Sequence, residues 1–160
     1  EMEIIEFGAV MLQRSTMQIV DEFQSFIRPV RNPQLTPFCT ELTTITQQDV
    51  DAAPDFASVI TALKQWLKPY GNYVFCSWGD YDRYQLDKDC NYHQVAYPLA
   101  AGHINVQKRF SEAQGLRRKL GLGKAIQLMG LSFNGTAHRG IDDARNIAAL
   151  MPFIINHQSD

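Results

Sequence analysis

Residues 137–146 read Ala137-His138-Arg139-Gly140-Ile141-Asp142-Asp143-Ala144-Arg145-Asn146. The preceding Asn134-Gly135-Thr136 has turn chemistry. The apolar spacing that follows, with Ile147, Leu150, Met151 and Ile154, predicts a helix over about Ile141 to Ile154. His138 therefore falls on a loop and Asp143 in the first turn of a helix. Two readings are open at this point. Acids in a first turn favour the helix dipole, and a loop histidine is often only solvated. Alternatively, the histidine acts as a general base near neutral pH and the aspartate fixes a hard divalent cation.

Working outward, Ser77-Trp78-Gly79-Asp80-Tyr81-Asp82-Arg83 places two carboxylates where an apolar strand ends. Ligand sites of open α/β sheets gather at such ends, although Asp80 also suits a helix cap. In Leu42-Thr43-Thr44-Ile45-Thr46-Gln47 the hydroxyls suit a helix cap. They equally suit contacts to sugar or phosphate, with the apolar side chains wedged against a base. Arg117-Arg118-Lys119 reads as a basic run on a helix through Phe110, Ala113, Leu116 and Leu120. It is either a solvated face or a backbone contact to nucleic acid.

The remaining elements follow from periodicity. Residues 4–12 read as a buried strand and 19–28 as its hairpin partner, with Phe23, Ser25 and Ile27 on one face. Residues 38–42 form a short helical turn, and Thr46 with Asp49 opens another. Phe56, Val59, Ile60, Leu63, Trp66 and Leu67 make a helix ended by Pro69 and Gly71. Tyr73 to Trp78 and Ile104 to Val106 are short strands, with a polar helix over Asp80 to Asp89 between them. The whole, residues 1–160, is expected to be one α/β domain.

Composition bounds the partners. The 160 residues are 45% hydrophobic with a formal net charge of −2. That is enough apolar material for a core, but a general basic coat for nucleic acid is excluded. Cys39, Cys76 and Cys90 form no C-x-x-C pair, so structural zinc is not expected and reduced thiols in the cytoplasm are. No apolar run has the length of a membrane span.

Four stretches together resemble the DEDDh exonucleases of the RNase T and DnaQ type: Glu3 to Val10, Phe38 to Val50, Ser77 to Arg83 and His138 to Ala148. Within that family the chain is similar to the branch containing the histone-mRNA 3′-end exonuclease and the bacterial KapD proteins. The resemblance implies an RNase H-like fold, a mixed central sheet flanked by helices. It implies a 3′→5′ exonuclease that releases nucleoside monophosphates from single-stranded RNA or DNA 3′ ends, RNA favoured, with two Mg²⁺ or Mn²⁺ ions. By motif, His138 is the general base and Asp82 and Asp143 are metal ligands and catalytic carboxylates. Asp82 is chosen over Asp80 because it follows an aromatic residue and stands four before Leu86. Leu42, Thr43, Ile45 and Thr46 would bind the terminal nucleotide. The family's first motif, Asp-x-Glu on a central strand, has no counterpart here. Glu1-x-Glu3 abuts the Ile4 strand without room for a turn and another strand. The expectation is a chain that lacks its N-terminal strand. The competing expectation is an inactive nucleic-acid-binding or regulatory module of the same fold.

Overall fold

The computed structural model describes residues 2–155. Strands β1 (Glu6–Gln13) and β2 (Gln18–Phe26) form the expected antiparallel hairpin. Glu6 lies opposite Phe26 and Gln13 opposite Gln18, with a register shift between Met11 and Leu12. Strand alternation puts Phe7 and Met11 against one helical layer and Leu12 against the other, while the shift leaves Val20 of β2 as the extra residue. Strands β3 (Phe75–Ser77) and β4 (His103–Asn105) pair in parallel. Among the described residues the sheet is thus two separate halves, one antiparallel and one parallel. Among the described residues β1 and β3, like β2 and β4, each pair along one edge alone.

Helices α1 (Pro37–Thr43), α2 (Gln47–Asp51), α3 (Phe56–Leu67), α4 (Tyr81–Tyr92), α5 (Val106–Ala113), α6 (Leu122–Leu128), α7 (Gly140–Leu150) and α8 (Pro152–Ile155) complete the fold. The sequence of α3 explains its place. Asp55 caps it by accepting the Ser58 N–H at 2.8 Å. Its stripe Phe56, Val59, Ile60, Leu63 and Leu67 is buried, about 1.5–3 kcal/mol for each large side chain. That stripe meets Leu86 and Cys90 of α4, and Phe7, Met11, Phe23 and Phe75 of both half-sheets pack against it. On the opposite face Val106, Phe110, Ala125, Ile126 and Leu150 meet Leu12, Cys76 and Ile104. Both half-sheets therefore lie between the same two helical layers. No helix among the described residues is long and apolar enough to cross a membrane.

Three expectations change. The final helix is broken, because Pro152 has no N–H to continue the ladder and instead starts α8. The helix through Phe110 stops at Ala113, so Leu116, Leu120 and Arg117–Lys119 lie on a loop. Gly115, at φ +65, ends it: its N–H bonds Glu112 O while Leu116 N–H bonds Ser111 O, which satisfies the terminal carbonyls. A further helix, α6, follows that loop, in a stretch for which periodicity predicts no element.

Candidate active site

Two features of β1 seat α7. Glu6 interrupts an apolar strand, and its side chain is 4% exposed. Its Oε2 accepts from Arg139 Nε at 3.0 Å and Nη2 at 2.8 Å, and its Oε1 accepts the Gly140 N–H. A buried carboxylate thus meets the unpaired N–H groups and positive pole of the helix. Gly8 allows the close approach: a Cβ there would stand 2.1 Å from Ile141 N. Sequence reading passed over both residues, although a lone acid inside an apolar strand was the available signal for Glu6.

The loop before α7 is tied to the helix it precedes. Asn146, 3% exposed, accepts the Asn134 N–H at 2.9 Å and donates to Asn134 O at 2.8 Å. Asp142 accepts the Thr136 N–H at 2.9 Å and a bond from Arg145 Nη1 at 3.2 Å. Asp142 is thereby tied to the loop and to Arg145. His138 follows at φ +69, a left-handed conformation uncommon outside glycine. Its N–H donates to Asp143 Oδ1 at 3.2 Å, and its side chain is exposed. The strained turn places histidine and aspartate side by side.

Asp82 joins them from the second half-sheet. After β3 the chain turns at Gly79, φ +94, into α4. Asp80 is committed to that turn: its carboxylate accepts from Asn105 Nδ2 at 3.1 Å and stands 3.6 Å from His103 Nδ1. His103 Nε2 in turn lies 2.7 Å from the Ser77 hydroxyl, and Ser77 is buried. The Asp82 carboxylate accepts no hydrogen bond among the described residues. It lies on an exposed position of α4, yet burial by the surrounding protein raises its affinity for a proton. Burial likewise pushes Asp143 up to about 6, against the lowering effect of the His138 N–H and ring, and the negative charge of Asp82 adds to the rise. Asp82, Asp143 and His138 therefore share one electrostatic neighbourhood. Among the described residues no three candidate ligand side chains converge.

The Leu42–Thr46 segment divides. Leu42 is 40% exposed and stands one turn after Phe38, which is 71% exposed. Phe38 was not foreseen as a site residue, since a single aromatic gives no signal without its exposure. Thr43 Oγ1 donates to Cys39 O at 2.7 Å and accepts the Ile45 N–H at 3.2 Å. Ile45 is 1% exposed, so it cannot touch a substrate base. The reason is local: Thr44 leaves α1 at φ +64, and the chain turns the next side chain into the core. Thr46 caps α2, accepting the Asp49 N–H at 3.2 Å and donating its hydroxyl to Asp49 Oδ2 at 2.8 Å. Asp49 is within electrostatic range of Arg139, which brings this corner beside the start of α7.

His138, Asp82 and Asp143 make the candidate site, at the edge of the sheet. The RNase T-type exonuclease family model matches residues 1–151, and the chain belongs to that DEDDh family. It is 38% identical to mouse ERI1 exoribonuclease 3 over 159 residues, covering 93% of this chain and 47% of that protein. It is 35% identical to human 3′-5′ exoribonuclease 1 over 156 residues, covering 92% of this chain and 45% of that protein. The chain thus spans about half the length of these relatives. Among solved structures, the nuclease domain of 3′hExo bound to rAMP superposes with a TM-score of 0.91 at 33% identity, covering 96% of this chain and 81% of that one. The fold is accordingly α/β of the RNase H-like exonuclease type. Membership of the family implies divalent metal ions.

Proposed function

We propose that this protein is a metal-dependent 3′→5′ exonuclease that removes nucleoside monophosphates from single-stranded nucleic acid, RNA before DNA. The observation that carries the reading is the pair Asp82 and Asp143. Both are raised by burial, Asp143 to about 6, and the charge of Asp82 adds to the rise at Asp143. Two crowded, desolvated carboxylates fit a hard divalent cation, which removes the penalty of holding them ionised. Asp82 and Asp143 would hold Mg²⁺ or Mn²⁺, whose positive charge stabilises the attacking and leaving oxygens of phosphodiester hydrolysis. His138, exposed beside Asp143, takes the proton from the attacking water. Leu42 and Phe38 supply an apolar surface for the terminal base, and the Thr43 and Thr46 hydroxyls stay on the structural side of that pocket. The names of the relatives and the rAMP of the 3′hExo structure support RNA as the favoured substrate.

The carboxylates of the family's first motif belong on a strand joining the two half-sheets. The single-edged pairing of β1 and of β3 supports this placement, as does the partial exposure of residues 6–12 of β1. Glu3 does not fill the role. Its carboxylate accepts the backbone N–H groups of Val30, Arg31 and Asn32 at 2.8–3.1 Å.

The test is incubation of the full-length protein with 5′-labelled single-stranded RNA and DNA in Mg²⁺, Mn²⁺ or EDTA. Stepwise, metal-dependent shortening from the 3′ end with monophosphate release is expected. Internal cuts, or binding with no release in either metal, would replace this reading with another nuclease mode or with a binding module.

A further inference from the structure

The segment from Val106 to Lys124 carries six cations, Lys108, Arg109, Arg117, Arg118, Lys119 and Lys124, against the one acid Glu112, in a chain of net charge −2. All six are exposed. Elsewhere Arg31, Arg83, Arg139 and Arg145 stand in ion pairs with neighbouring carboxylates. Among the described residues none of the six has such a partner. Arg14, Arg28, Lys64 and Lys68 also stand in no salt bridge among the described residues, but they are scattered along the chain, whereas these six fall within one stretch.

That stretch is held in place, and held beside the candidate site. Gly115 closes α5 with two backbone bonds, from its own N–H and that of Leu116. At the other end of the basic loop, Leu120 O accepts from Trp78 Nε1 at 3.0 Å and from Gln107 Nε2 at 2.8 Å. Trp78 also meets the Phe110 ring, with centroids 5.7 Å apart. Arg117, Arg118 and Lys119 are therefore carried on a short span fixed at both ends. The indole that fixes it lies four residues before Asp82. The cap of α5, Asn105, donates to Asp80, two residues before Asp82. Cations on a pre-ordered loop lose little freedom on binding, and free cations next to an acidic site attract the chain that the acids alone would repel.

We propose that Lys108, Arg109, Arg117, Arg118, Lys119 and Lys124 form a track for the phosphate backbone of the single strand lying 5′ of the nucleotide being removed. This rests on the exonuclease reading and adds to it: grip on the substrate body is separate from the chemistry at its end. The contacts are sequence-independent, because phosphate carries no base information. The track lets a net-acidic protein hold a polyanion, with an affinity that falls with salt by about −0.7 in log–log slope per phosphate neutralised on a single strand.

The experiment compares the full-length protein with its R117E/R118E/K119E and R117Q/R118Q/K119Q variants. Among the described residues these side chains have no hydrogen-bond or ion-pair partner to lose, so folding should be unchanged, and thermal unfolding checks it. Binding of a single-stranded RNA of about 20 nucleotides and of a trinucleotide is measured by fluorescence anisotropy in EDTA over a salt series. For the longer RNA the Gln variant should bind roughly tenfold more weakly, the Glu variant more weakly still, with a slope shallower by about 2. Trinucleotide binding should not change, and in Mg²⁺ the kcat should hold while KM for the longer RNA rises. An unchanged Kd and slope for the longer RNA overturns the track. So does an equal loss for the trinucleotide, which would put these cations at the terminal pocket. If the variants lose binding but the wild type releases no nucleotide, the exonuclease reading fails and the track stands.

Discussion

Replacing Asp143 with asparagine should stabilise the metal-free protein while abolishing its activity. The isosteric amide keeps an oxygen to accept the His138 N–H and removes the desolvated charge. Moving a carboxyl from 3.8 to about 6 corresponds to about 3 kcal/mol in a dry site. Asp143 is half-buried, and solvent screening reduces this to about 1–2 kcal/mol. The pH dependence follows from the direction of the shift. The folded state holds its proton more tightly than the unfolded chain, so this group's stabilisation is full below pH about 4 and lost as pH rises through about 6. The gain from Asp143→Asn should therefore be near zero at pH 4 and reach its plateau above pH about 7. Urea denaturation of both proteins in EDTA across that range measures it. Saturating Mn²⁺ should then stabilise the wild type, by about 2.7 kcal/mol at a hundredfold excess over Kd, and leave the variant unmoved. A variant less stable than wild type at pH 8 in EDTA would refute the reasoning, as would equal stabilisation of both by Mn²⁺.

His138→Gly relieves the left-handed backbone while removing the base. It should leave stability equal or improved, RNA binding intact and turnover lower by about 10²–10⁴-fold; retained kcat in single-turnover assays would exclude the base assignment. Gly8→Ala drives a methyl into the backbone of Gly140 and Ile141, and should cost about 3 kcal/mol or more in chemical denaturation and depress activity by shifting α7. Leu42→Ala and Ile45→Ala should part company. The former raises KM with unchanged Tm, whereas the latter loses about 2–5 kcal/mol because its side chain is buried. Equal thermal shifts for the two would contradict the division of that segment.

Much of the site was legible because its chemistry is local. The turn residues before His138, the helix start that carries Asp143 and the capping box of Thr46 and Asp49 each involve neighbours in the chain. The amphipathic stripe of α3 is likewise a matter of spacing. Asp82 was preferred to Asp80 by motif resemblance, and in the fold Asp80 is occupied by Asn105 and His103, from a strand about 25 residues away. The breaks at Gly115 and Pro152 were visible as residue types, but periodicity ran across both, since apolar spacing continues on the far side of a helix end.

What the sequence by itself determined is therefore the class of elements, the loop histidine with its helix-borne aspartate, and the family those residues resemble. Tertiary structure decided which side chains remain free to act. Ile45 is turned into the core by the left-handed Thr44, and Glu6 is drawn into the first turn of α7 across more than 130 residues. Asp82 and Asp143 acquire their raised proton affinity only when two distant segments close over them. Burial and charge proximity are properties of the packed chain, and no local pattern encodes them.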